Sequence, residues 1–151
     1  MLEISINDIG VDELFKRMLR QNQNLESLTR DIAIFMKTKV LENFQSEGRP
    51  SKWKDLMPST KKAKIRKKGT MYPILEGMTG KLKQSINIEN DRTTAKVFTG
   101  LNYGVYHQTG TRKMAQRAFM PTTEKDDIPP FDTSSMEIIR KIIEKHLEVK
   151  Q

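Results

Sequence analysis

Between Leu25 and Gln45 the apolar residues Leu25, Leu28, Ile32, Phe35, Met36, Val40 and Phe44 recur at steps of three and four. That period places them on one face of a helix about six turns long. An apolar stripe of this length needs cover, so the rest of the chain must fold back onto it. Gly48 and Pro50 mark where the helix stops.

The cover has to come from short pieces. "LEISI", Leu2 to Ile6, alternates as a half-buried strand does, and Val11 to about Leu19 is helical in period. "KQSINIEN" and "TTAKVFTG" alternate too, with Ile86 and Ile88 on one and Ala95, Val97 and Thr99 on the other. Asn90–Asp91–Arg92 between them suits a hairpin loop. Pro73, Gly77 and Gly80 leave room for short helical turns only. Tyr103 to Gln108 suits a turn of helix or a loop, "MAQRAFMP" a further short strand, and residues 121–133 a loop. Ser134 and Glu137 form an S-x-x-E capping box for a last helix to about Leu147, with Met136, Ile139, Ile143 and Leu147 on its apolar face. This order predicts an α+β fold. A small antiparallel sheet is packed by a long helix of the N-terminal half and a C-terminal helix, in one domain over 1–151.

The charge is concentrated. The net charge is +8. Residues 49–69 hold nine of the 27 basic residues and, at Asp55, one of the 19 acidic ones, which leaves 18 of each sign elsewhere. The chain is therefore a neutral domain carrying a basic arm at 49–69, expected as an extended basic loop. Ser59, after Pro58, suits the cap of a short solvated helix to Arg66, with Lys67, Lys68 and Gly69 as loop. Trp53, the single tryptophan, and Leu56 are placed to pin the start of the arm. Such an arm is a solvated mobile loop or serves one of two partners. It neutralises nucleic-acid phosphates, or it steers docking onto an acidic protein.

Catalytic and metal chemistry find little support. With no cysteine there is no disulfide, thiolate ligand or cysteine nucleophile. His107 has no acid near it in sequence and no G-x-S-x-G accompanies it, and His146 suits the last turn of a helix. "GMTGK", Gly77 to Lys81, lacks the P-loop spacing. The reading is a non-enzyme with no cofactor and no metal. No signal-peptide pattern or apolar run of membrane length is present, so the expected setting is the cytoplasm, without membrane contact.

The order of motifs carries a resemblance. "WKDLMPSTKKAK" is followed by "PILEGMTGKLKQSI", a hairpin, and "YGVYHQTGTRKMAQRAFM". The matching positions are Trp53, Leu56, Pro58, Ser59 and Thr60; Pro73, Ile74 and Leu75; Thr79, Gly80, Leu82, Ser85 and Ile86; Tyr103, His107, Gln108 and Gly110; and Arg117 with Phe119. This succession resembles the phage virion morphogenesis family, the Mu-like and tail-completion proteins of contractile-tailed phages. Ala118 stands where that pattern has proline. The resemblance implies a structural protein acting at tail completion or head–tail joining. Its partners would be copies of itself in a ring and other tail or connector proteins, first in the host cytoplasm and then in the virion tail or junction. The candidate assembly interface is Lys61, Lys62, Lys64, Arg66, Lys67 and Lys68 with Thr111, Arg112 and Lys113. The candidate structural anchors are Trp53, Tyr103, His107 and Gln108. Non-specific DNA contact through 49–69 is the alternative.

Overall fold

The computed structural model describes residues 13, 16–17, 25–77, 79–120 and 133–148, without the side chains of Lys68, Thr133, Leu147 and Glu148. In chain order the elements are α1 (Glu26–Gln45), α2 (Pro58–Lys68), α3 (Lys81–Gln84), β1 (Ile86–Asn90), β2 (Ala95–Thr99), α4 (Tyr103–Thr109) and α5 (Thr133–Glu148). The fold is α+β, and β1 and β2 pair as a two-stranded hairpin sheet. The expected strand at Leu2–Ile6 lies outside the described residues. Of the helix expected over Val11–Leu19, Glu13, Lys16 and Arg17 are described and are helical.

The described chain falls into two compact units. One comprises Thr38–Asn87 and Thr99–Met120; the other comprises residues 25–37, 88–98 and 133–148. α1 contributes to both, which is why its apolar stripe had to be so long. In the second unit Leu25, Leu28, Ile32, Ala33, Met36, Val97, Ile139 and Ile143 are buried. The turn of the hairpin is closed locally: Asp91 Oδ1 accepts from the backbone N–H groups of Thr93 and Thr94 at 2.8 and 2.9 Å, a side-chain mimic of a backbone turn. Thr29 Oγ1 donates to the Asp91 carbonyl, and Asn90 Nδ2 to the Glu26 carbonyl at 3.2 Å. The hairpin tip is thus tied to the first turn of α1. α5 opens at Thr133, so Ser134 belongs to its first turn and does not precede it.

In the first unit Val40, Phe44, Ile74, Leu82, Ile86, Phe119 and Met120 are buried. Phe44 sits at the centre, with its ring 5.3 Å from that of Phe119 and 5.9 Å, edge-on, from that of Trp53. Full burial of a phenylalanine contributes roughly 1.5–3 kcal/mol, so this cluster anchors the unit.

Two expectations change. The segment 114–120 is not a sheet strand. Apart from an isolated bridge between Thr111 and Met114, the backbone partners of Arg117 to Met120 are side chains and α4, as described below. The basic arm is not a simple extended loop either. An extended stretch leads into the eleven-residue α2, which Pro58 starts with Met57, not Ser59, at the cap position. Proline suits the first helical position because its missing N–H would have no partner there. The helix continues past Arg66 because Gly69, at φ 75°, takes the left-handed conformation and returns its N–H to Ile65.

Candidate functional site

Gln108 is the organising residue of the first unit. It is 1% exposed. Its Oε1 accepts from the N–H groups of Phe119 and Met120, each at 3.0 Å, and its Nε2 donates to the Met120 carbonyl at 2.6 Å. A carboxamide carries an acceptor and two donors, so it can pair with an extended chain as a neighbouring strand would. The backbone of α4 adds to this: the His107 carbonyl accepts from Arg117 N–H at 2.8 Å, and the Gln108 carbonyl from Gln116 Nε2 at 3.0 Å. From α1, Asn43 Nδ2 donates to the Phe119 carbonyl at 3.0 Å. Gly110 ends α4 at φ 73°, and a Cβ there would lie 2.9 Å from Gln116 N. The stretch "YGVYHQTGTRK" is therefore a clasp that closes on residues 116–120.

The clasped segment holds the basic arm. Trp53 Nε1 donates to the Ala118 carbonyl at 2.8 Å. Buried Arg117 donates through Nε to the Lys54 carbonyl at 2.9 Å and through Nη2 to the Asp55 carbonyl at 3.1 Å. Farther along, Lys64 Nζ donates to the carbonyls of Tyr72 and Pro73 at 3.2 and 2.9 Å and lies 4.2 Å from the Tyr72 ring centroid. Burial lowers the pKa of Lys64, with Glu47 opposing and Arg117 assisting. Lys61 pairs with Asp55, and that hydrogen bond, with the Leu56 N–H, holds the Asp55 carboxyl below its ordinary value.

The expected interface residues thus divide. Lys61 is engaged within the arm and Lys64 with the carbonyls of Tyr72 and Pro73 just beyond it, while Lys62, Arg66 and Lys67 are exposed on α2. The Lys68 side chain lies outside the described residues. Thr111, Arg112 and Lys113 are exposed and share one groove with Lys64. This groove of about 730 Å³ belongs wholly to the first unit and runs between the start of α2, the turn at 75–77, α4 and the 111–115 loop. Its cations are Lys54, Lys64, Lys81, Arg112, Lys113 and Arg117; its carboxylates are Asp55 and Glu76. Glu76 is already paired with Lys83 at 2.8 Å. Leu56, Met57, Leu75 and Met114 also line it. Lys62, Arg66 and Lys67 lie outside it.

The anchors divide as well. Trp53 and Gln108 hold backbone. Tyr103 is 41% exposed on the groove wall, with its ring edge-on to that of His107 at 6.2 Å. His107 is half-buried, and its Nδ1 has no hydrogen-bond partner among the described residues. Burial, and then the charge of Arg117, push its pKa below 6.5. With no partner at Nδ1 among the described residues, the ring lacks the orienting contact of a catalytic triad. His146 Nδ1 meets the Ile142 carbonyl at 3.0 Å, and its Nε2 lies 3.5 Å from Asp31. Among the described residues there is no group of three or more metal-ligating side chains, and no helix is long and apolar enough to cross a membrane.

Sequence reasoning missed Asn43 and the bridging role of Arg117. Asn43 had a visible signal: it lies seven residues after Met36 and three after Val40, on the register of the apolar face, where an amide needs a polar partner. Arg117 offered none, because its partners are backbone carbonyls more than sixty residues away.

The comparisons bear on the same stretches. The model of the phage virion morphogenesis family matches residues 6–148. The chain is 33% identical over 135 residues to the Mu-like prophage FluMu G protein 2 of Haemophilus influenzae, covering 84% of this chain and 88% of that protein. No solved structure gives a significant match. With a family model matched over nearly its whole length and a relative this similar, the chain belongs to the phage virion morphogenesis family, a structural family of phage assembly.

Proposed function

We propose that the chain is a tail-completion or head–tail joining protein that acts by protein–protein assembly, as copies of itself in a ring and against other tail or connector proteins. It would work as one tail-completion-like domain over 1–151, without catalysis, in the host cytoplasm and then at the virion tail or junction. The relative's description as a Mu-like prophage protein fits a phage or prophage origin. One observation carries the reading: the clasp around Gln108 holds a groove whose cations outnumber its carboxylates six to two. A charged concavity braced by hydrogen bonds suits docking, because less order must then be gained on binding. The unoriented His107 agrees with a non-catalytic role.

The test is deletion of the gene from its phage or prophage, with electron microscopy of the particles. Unjoined heads and tails, or tails of abnormal end structure, are expected. Normal joined particles would sink the reading. Light scattering of the purified chain tests the ring, which a monomer at all concentrations would exclude.

A second reading has its own support. Lys62, Arg66 and Lys67 stand exposed along α2, a spacing that suits phosphate neutralisation by a non-specific nucleic-acid binder. No aromatic residue lies between Lys54 and Gly69 to stack on bases. Filter binding at two salt concentrations decides: this reading requires affinity that falls steeply with salt, and no binding at low salt removes it.

A further inference from the structure

We propose that the groove of the first unit receives residues 121–132 of a second copy of the chain. The inference rests on the ring reading and names the contact that would build it. The groove presents six Lys and Arg side chains against Asp55 and Glu76, and both carboxylates are already paired, with Lys61 and Lys83. It therefore seeks negative charge. It also presents Leu56, Met57, Leu75 and Met114. A phosphate backbone has no use for those apolar positions, whereas an acidic peptide with apolar residues uses both.

The chain contains such a peptide. Residues 121–132 read "PTTEKDDIPPFD": Glu124, Asp126, Asp127 and Asp132 against Lys125, with Ile128 and Phe131 among them. Three prolines leave this stretch fewer conformations to lose on docking. The rest of the chain has balanced charge outside 49–69, so this is a local acidic complement to the basic side of the groove.

A neighbour's groove, not its own, is the destination. Along the clasped segment Met114, Ala115 and Arg117 line the groove, and Phe119 and Met120 do not. The chain is already leaving the groove when Gln108 grips Met120 at both its N–H and its carbonyl.

The natural chain has no cysteine, so the contact can be read by cross-linking two singly substituted chains. Asp127→Cys mixed with Lys113→Cys is expected to give an inter-chain disulfide. Asp127→Cys mixed with Lys141→Cys, which lies exposed on α5, serves as the control. Arg112→Glu in the Lys113→Cys chain should weaken the association about tenfold, and reversing Asp126 to Lys should restore it. Equal yield from the control pair overturns the proposal. So does a disulfide that forms only within one chain when Asp127→Cys and Lys113→Cys are placed together in it. Oligomers in light scattering without the cross-link overturn it while leaving the ring intact; a monomer throughout overturns both. Binding of a short DNA duplex that Arg112→Glu abolishes, with no cross-link, would assign the groove to nucleic acid and overturn it too.

Discussion

α2 and α4 are both short, polar helices of the first unit, yet they are held in opposite ways. α4 buries Gln108 and spends both ends of its carboxamide on the backbone of Phe119 and Met120. Among its described side chains α2 buries none fully; Ile65 is 48% exposed, and Met57 just before the helix 69%. Its attachments are Lys61 to Asp55 and Lys64 to the 72–73 carbonyls. One helix is structural cement, and the other is surface presented on that cement. The difference teaches where selection for assembly has room to act: charges on α2 can change without disturbing the clasp.

The clasp is the place to break the unit. Gln108→Ala leaves the N–H groups of Phe119 and Met120 and the Met120 carbonyl without partners. Orphaned buried groups cost about 1–3 kcal/mol each, so the loss should be about 3 kcal/mol or more. Urea denaturation checks it, and a loss below about 1 kcal/mol would show that the carboxamide is dispensable. Gly110→Ala strikes the same clasp from its end. A side chain at φ 73° meets Gln116 N at 2.9 Å, and a loss of about 2 kcal/mol is expected in the same assay.

The link between clasp and arm is weaker. Trp53→Phe keeps an aromatic ring beside Phe44 but deletes the donor to the Ala118 carbonyl, which Asn43 Nδ2 also reaches at 3.3 Å. The expected loss is about 1 kcal/mol. Tryptic cleavage at Lys54 should become faster while cleavage after Lys113 does not. Equal acceleration at both sites would mean that arm and clasp open together.

His107 gives the contrast a pH signature. Burial, helped by Arg117, holds its pKa below the ordinary 6.5. As pH falls through that ordinary value, the unfolded chain takes up a proton that the folded chain refuses, so stability is present above it and declines below it. The urea midpoint should therefore fall between pH 7.5 and 5.5. His107→Asn should remove part of that fall. An undiminished fall in the variant would assign the effect to other groups.

Much of this division was legible before any coordinates, and the reason is local chemistry. The stripe from Leu25 to Phe44, the hairpin and the last helix announce themselves because periodicity is a local property of sequence. Gln108 stood out in "YGVYHQTGTRK", but its partners did not. They are backbone atoms of Phe119 and Met120, and a backbone partner leaves no trace in residue identity. For the same reason "MAQRAFMP" reads as a strand, and what pairs with its end is a side chain. The groove was half visible, since Thr111, Arg112 and Lys113 and the basic arm were both marked by charge. That Lys64 shares a cavity with them, whereas Lys62, Arg66 and Lys67 do not, depends on how Arg117 and Trp53 lay the arm against the clasped segment.

The smallest expected effect is the sharpest test of the comparison. Lys62→Ala, Arg66→Ala and Lys67→Ala together remove three exposed cations from α2. Exposed substitutions away from special features change stability by no more than about 0.5 kcal/mol each way. Alanine also suits a helix at least as well as lysine or arginine. The triple variant should therefore unfold at the same urea concentration as the natural chain and keep its helical circular dichroism. What should change is the salt dependence of whatever α2 meets, because three fewer cations make that association less sensitive to ionic strength. A large loss of stability would mean that these cations hold the fold, and α2 would then be cement like α4. Unchanged stability with an unchanged salt response would leave α2 as solvated surface and concentrate the docking chemistry on the groove at Arg112 and Lys113.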